Sequence, residues 1–339
     1  MSNITIKELA LELNLSAATV SRALSDSYQI STATKQRVWD LAKKLNYEPN
    51  PSASTLRSHK TKTLAVIIPE IANNFFSQAI NGIEEVSRQH GYHVLIYQTH
   101  ENSEIEAAFI KSLVSGRVDG VLISVSSETN NNDHFTELNK NIPVVFFDRT
   151  LENIDAIKIT TNDYESAYIS TEHLIKCGCK KISFLFALNN LSTGKNRLNG
   201  YIDALANNNI AYDETLVINC NKDESRNYAH IKDLLTKNKP DGIISSIEEL
   251  VLPCYAICEE LNINIPDGLK IVSFSNLKTA PFLNPSLTTI TQPAFEIGIT
   301  AATLILKLLN KKQVDTNEVV VLKSDLIERG STAVKKIKV

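Results

Sequence analysis

Residues 4–24, ITIKELALELNLSAATVSRAL, hold two short helices and the turn between them. Thr5 followed by Glu8 is a capping-box start, in which a side-chain oxygen accepts from a backbone N–H that the first helical turn leaves unpaired. Leu9, Ala10 and Leu13 then recur at helical spacing and give one apolar face. Asn14-Leu15 breaks the pattern, and Ser16 is placed to cap a second helix whose Val20, Ala23 and Leu24 point inward. Ala17, Ala18, Ser21 and Arg22 are left on its outer face. A third helix is expected over 31–45, with Val38, Leu41, Ala42 and Leu45 as its core stripe and Trp39 packed beneath it. Three such helices close one small core, either as an ordinary interaction bundle or as a helix-turn-helix that lays its second helix in a major groove. On the second reading Thr5, Ser16, Ala17, Ala18, Thr19, Ser21 and Arg22 are the candidate DNA contacts.

The next stretch, NYEPNPSASTLRSHKTKT over 46–63, is poor in apolar residues and rich in Pro, Ser, Thr and basic side chains, as a linker is. It divides the chain into a head (1–45), a hinge (46–62) and a body (63–339). Charge follows the same division. Residues 1–62 carry nine Lys or Arg against five acids, a net of +4, while the whole chain is −3, so the remainder holds −7. A basic head suits phosphate contacts, and an acidic body would repel DNA. At 339 residues and 43% hydrophobic content the chain is long enough for several domains with sizeable cores. With no charged-then-apolar leader and no apolar run of membrane-spanning length, the cytoplasm is the expected compartment.

From residue 63 onward short apolar runs alternate with helical stretches, the rhythm of a parallel sheet covered on both faces. TLAVIIP (63–69), HVLIYQ (93–98), DGVLIS (119–124) and PVVFF (143–147) form one series. KISFLFA (181–187), TLVIN (215–219), DGIISS (241–246) and KIVSF (270–274) form a second, and Val118-Asp119-Gly120 is echoed by Pro240-Asp241-Gly242. The expected fold class is therefore α/β, with two doubly wound parallel-sheet lobes behind an all-α three-helix head. LTTITQP (287–293) reads as a crossing strand before a helix at 294–309, and VVVLKSDLIERGS as a final strand and tail.

TVSRAL, then YEPNPSASTL, then the strand TLAVIIPEI together resemble the LacI/GalR family of bacterial transcription regulators, and the resemblance covers essentially the whole chain. It implies that the linker folds into a hinge helix on operator DNA, with Asn50, Ala53, Leu56 and Arg57 facing the duplex and Leu56 wedged into the minor groove. Such a wedge unstacks a base step and bends the DNA. Family members usually carry Arg where Ser54 stands, so that hinge contact is either absent or supplied by Arg57. The body is similar to periplasmic sugar-binding proteins, whose ligand lies between the lobes near the carboxyl ends of the strands. Phe75-Phe76 then offers an aromatic wall, with one of the pair expected to start a core stripe instead. Arg197 maps onto a family arginine that reaches ligand hydroxyls or carboxylates, and Asp148 either meets the ligand or pairs with Arg149.

Other pocket positions depart from the family. SSIEEL places Glu248 where many members begin a helix with Asp, Pro253 stands near a usual Gly, and Ser275, followed by Asn276, replaces a frequent Asp. Glu248, Ser275 and Asn276 complete the candidate effector residues, and a ligand hydroxyl at Ser275 would be held weakly or through water. Asn189, Asn190 and the polar run 129–133 read as loop, the last as a surface turn. Cys177-Gly-Cys179 and Cys254-x-x-x-Cys258 lack the spacing of common zinc sites, so five structural thiols, no metal and no cofactor are expected. An enzyme cleft is the competing class, but no GxGxxG follows a strand, and NNLSTGKN (189–196) lacks the leading Gly and trailing Ser or Thr of a phosphate loop. The resulting expectation is a homodimeric, non-enzymatic, DNA-binding repressor on a palindromic operator, controlled by a small molecule, above all a carbohydrate, or by a protein partner.

Overall fold

The computed structural model describes residues 4–47, 60–114, 117–129, 133–151, 154–311 and 315–334. It comprises two compact units, 1–61 and 62–339. The hinge positions Asn50, Ala53, Leu56 and Arg57 lie outside the described residues.

In the first unit α1 spans Ile6–Leu13, α2 Ala17–Leu24 and α3 Thr32–Lys44. Thr5 and Glu8 form the reciprocal capping box, and Asn14 ends α1 in the left-handed conformation at φ 52°. Ser16 and Ser31 each accept an N–H of the helix they precede. Leu9, Ala10, Val20, Ala23, Val38 and Ala42 make the core. Ala17 is turned partly inward and packs against this core, so it is less available outside than the pattern suggested. Trp39 is 51% exposed rather than packed beneath α3. It follows Val38 by one residue, about 100° around the helix from the buried stripe.

The second unit contains two six-stranded sheets with matching order. One is β11-β5-β4-β3-β1-β2 and the other β12-β10-β9-β8-β6-β7. The first sheet uses Thr63–Ile68 (β1), His93–Gln98 (β2), Gly120–Ile123 (β3), Val144–Phe147 (β4), Ile157–Thr161 (β5) and Val319–Leu322 (β11). The second uses Ile182–Phe186 (β6), Val217–Asn219 (β7), Gly242–Ser245 (β8), Lys270–Phe274 (β9), Thr288–Thr291 (β10) and Asp325–Ile327 (β12). All neighbours are parallel except β10 and β12. The internal echo has a structural basis. Asp119 accepts from the Lys62 N–H and Asp241 from those of Lys180 and Lys181, each pinning the start of its lobe's first strand.

Three differences from the sequence reading matter. The strand β2 is a half-exposed sheet edge, with Leu95 and Ile96 open, because it pairs only with β1. The strand β5 was not among the apolar runs, since Lys158 and Thr160 alternate with its buried residues. The final stretch is two strands, one in each lobe, with Lys323-Ser324 passing between them. The chain therefore crosses between lobes three times: at Asn162, at Gln292-Pro293 and at Lys323-Ser324. In the first lobe the helix Asn74–Gln89 (α4) packs on the helix Ala294–Leu309 through Gly82 and Gly298, where a Cβ would meet a backbone oxygen at 2.2 and 2.0 Å. That close crossing fixes the N-terminus of α4 at the cleft. Among the described residues no helix is long and apolar enough to cross a membrane.

Candidate functional site

The cleft is built where strands of both lobes end. After β1, Asn73 caps α4 by accepting from the N–H groups of Phe75 and Phe76. The two rings meet edge to face, with centroids 5.3 Å apart. Both line the cleft and both belong to the first lobe's core, so neither is purely one or the other. After β4, Asp148 adopts the left-handed region at φ 61°, a conformation a short polar residue tolerates and one that recurs at functional sites. Its carboxylate is buried. Among the described residues it accepts only long hydrogen bonds, from Ser124 Oγ at 3.5 Å and Gln292 Nε2 at 3.4 Å, with Arg149 Nε 3.8 Å away. Burial pushes its pKa up to about 6, against the pull of Arg149 and Arg197.

Arg149 pairs chiefly with Glu101, at 2.6 Å, rather than with Asp148, and its buried Nε has no hydrogen-bond partner. Burial would raise Glu101, but Arg149 and the Ser127 N–H outweigh it and leave the carboxyl below its ordinary range. Arg197, on the helix Ser192–Asn207, is buried. Its Nε donates to Asp163 at 2.7 Å, an Nη to the Ser246 carbonyl, and its guanidinium lies 4.0 Å over the Phe274 ring.

Glu248 joins the lobes. One carboxylate oxygen accepts from the Asn74 N–H (2.9 Å) and Asn74 Nδ2 (3.1 Å) of the first lobe, the other from Ser275 Oγ (3.3 Å) and the Asn276 N–H (3.0 Å) of the second. Beside it, Asn73 Nδ2 donates to the exposed Glu249 at 2.6 Å. The carboxylate missing at 275 is thus supplied from position 248. With these bonds formed, the cavity among these residues is about 40 Å³. That accommodates water and is far below the roughly 300–1,000 Å³ of small-molecule sites.

In the head, Ala18 and Arg22 are exposed on α2, while Thr19 bonds Ser16 through their hydroxyls at 2.9 Å. Thr5 and Ser16 sit exposed at the starts of α1 and α2, and Ser21 is half-buried.

Residues 5–50 match the model of the bacterial regulatory proteins of the lacI family, and 61–329 that of the periplasmic binding proteins and sugar-binding domain of the LacI family. The chain belongs to the LacI family. Catabolite control protein A of Staphylococcus xylosus is 31% identical over 97% of this chain and 99% of its own length. A lac repressor dimer bound to operator and an anti-inducer shares the fold, with a TM-score of 0.86 over 98% of this chain and 99% of its own at 20% identity. A LacI-type regulator from Alkaliphilus metalliredigens QYMF, solved with D-xylulofuranose, matches 80% of this chain and 99% of its own with a TM-score of 0.71 at 26% identity. This LacI-family chain is therefore a DNA-binding transcriptional regulator with a sugar-binding type of body, and its relatives are regulators rather than enzymes.

Sequence reasoning singled out Phe75, Phe76, Asp148, Arg197, Glu248, Ser275 and Asn276, and the structure gathers all seven around one cavity. It missed Asn73, Glu249 and Gln292, and weighed Arg149 only as a partner for Asp148. The Asn-Asn before Phe75 and the Gln-Pro closing β10 were the available signals, since caps and strand ends are where cleft residues sit. Thr129, read as part of a surface turn, is buried and donates to the buried Glu106 at 2.7 Å. The five cysteines are free thiols, and among the described residues no group of His, Cys, Asp and Glu could hold a metal.

Proposed function

We propose that this protein is a homodimeric repressor that reads a palindromic operator through α2 and changes its operator affinity when a sugar or sugar derivative binds between the lobes. The observation that carries the reading is the construction of α2. Val20 and Ala23 are locked in the head core while Ala18 and Arg22 face outward, a rigid platform for base contacts. In this division of labour residues 1–45 read bases, 46–62 form the hinge, with Asn50, Ala53, Leu56 and Arg57 at the minor groove, and 63–339 bind effector and dimerise. Ile71, Leu95, Ile96, Leu252 and Phe282 are exposed apolar side chains on the body, and supply surface for a second copy. The regulator solved with D-xylulofuranose supports a carbohydrate ligand. An effector acts only through its different affinity for the operator-competent and operator-incompetent arrangements of the dimer. A second reading, control by a protein partner, is favoured by the small cavity that Glu248 already bridges. A DNA duplex selected from random sequence, titrated with the full chain in the presence and absence of a sugar panel, tests both. Selection of a palindrome whose affinity a sugar changes supports the first reading, and a palindrome insensitive to every sugar supports the second.

A further inference from the structure

We infer that the effector is an amino sugar whose ammonium is received by Asp148, and that sugar acids and sugar phosphates are excluded. The inference rests on the reading that a carbohydrate lies between the lobes. Three carboxylates line the cavity, Asp148, Glu248 and Glu249, against two guanidiniums, Arg149 and Arg197. Each guanidinium is already neutralised by a carboxylate behind it, Glu101 at 2.6 Å and Asp163 at 2.7 Å. An anionic ligand would thus enter a site whose cations are spent and whose remaining charge is negative, and would be repelled at short range in a poorly solvated cleft.

The unmet hydrogen bonding points the same way. Glu248 has four donors, whereas Asp148 has only the two long contacts from Ser124 and Gln292. Glu249 is exposed and open to water, so of the two buried lining carboxylates Asp148 is the one still in want of a donor. Next to it Arg149 Nε, buried, 3.8 Å from Asp148 and without a hydrogen-bond partner, wants an acceptor. A vicinal amino alcohol supplies both, its ammonium donating to Asp148 and its hydroxyl oxygen accepting from Arg149 Nε. A 2-amino-2-deoxyhexose carries that pair on an apolar ring face suited to Phe75 and Phe76.

The test is titration calorimetry of the full chain with a matched series in the gluco, galacto and manno configurations, each as neutral hexose, 2-amino-2-deoxyhexose, hexose 6-phosphate and hexuronate. The amino sugar of one configuration should bind roughly ten times more tightly than its neutral parent, the increment of a charged over a neutral hydrogen bond. The phosphate and uronate should bind more weakly than the parent. Asp148→Asn should erase the amino preference while retaining the neutral sugar, and Glu249→Gln should narrow the gap between phosphate and parent. A phosphate or uronate as tightest ligand, or an amino preference that survives Asp148→Asn, overturns the inference and leaves the carbohydrate reading standing. If no sugar in the series binds, both fall.

Discussion

Replacing Asp148 by asparagine should stabilise the protein, and by an amount that depends on pH. The carboxyl is held at about 6 in the folded chain against an ordinary value of 3.8, because burial penalises its charged form more than Arg149 and Arg197 favour it. The folded state therefore keeps this proton more tightly than the unfolded chain, and stability falls as pH rises from about 4 toward 6. Above pH 7 the whole penalty is present. At ~1.4 kcal/mol for each pH decade between the two values, it amounts to about 3 kcal/mol. At pH 5 it is about half that. An asparagine imitates the protonated acid and carries no such cost, so Asp148→Asn should gain about 3 kcal/mol at pH 8 and roughly half of that at pH 5. For a body of this size the larger figure corresponds to a melting temperature higher by roughly 5 °C. Thermal unfolding of both proteins followed by circular dichroism at pH 5 and pH 8 measures the difference. A gain that is absent, or equal at the two pH values, would refute the argument that Asp148 is a costly buried charge.

Three further outcomes follow from the geometry. Arg197→Ala should lower body stability by roughly 3–5 kcal/mol in denaturant unfolding, because it strands the buried carboxylate of Asp163, and Asp163→Asn in the same chain should recover part of the loss. Trp39, the single tryptophan, should emit near the wavelength of tryptophan in water and be quenched by iodide, and Trp39→Ala should change head stability by less than about 0.5 kcal/mol; a shielded, blue-shifted emission would contradict its placement. Leu56→Ala should reduce operator affinity and operator bending together in a fluorescence-transfer assay while the head stays folded, and unchanged bending would sink the minor-groove wedge.

The head was legible because its signals are local. Thr5, Ser16 and Ser31 cap helices within three residues of themselves, and Val20, Ala23, Val38 and Ala42 recur at helical spacing. The residue type of Trp39 suggests a buried side chain, whereas its position one step past Val38 points it outward. In the body the apolar runs located most strands, but Ile157–Thr161 escaped because only alternate residues are buried, and nothing local marks Lys323-Ser324 as a passage between sheets. The cleft was legible as a set of positions after strands and opaque as a set of bonds. Glu248 meets Asn74 across 174 residues of sequence, and Arg149 meets Glu101 across 48. The first pairing joins the segments after β1 and β8, one from each sheet, and the second those after β2 and β4 in the order β4-β3-β1-β2, and no spacing rule carries them. The compensation of Ser275 by Glu248 is of this kind: two departures from the family pattern cancel only once the fold places them 3.3 Å apart.

The central claim is that α2 reads bases through Arg22. It is tested most directly by fluorescence-anisotropy titration of the wild type and Arg22→Ala on a selected operator duplex and on a shuffled duplex of the same composition. An arginine fork on a guanine edge discriminates by roughly 1–3 kcal/mol, so the variant should lose on the order of 5- to 150-fold in operator affinity and far less on shuffled DNA. Equal losses on the two duplexes would make Arg22 a phosphate contact and contradict the claim.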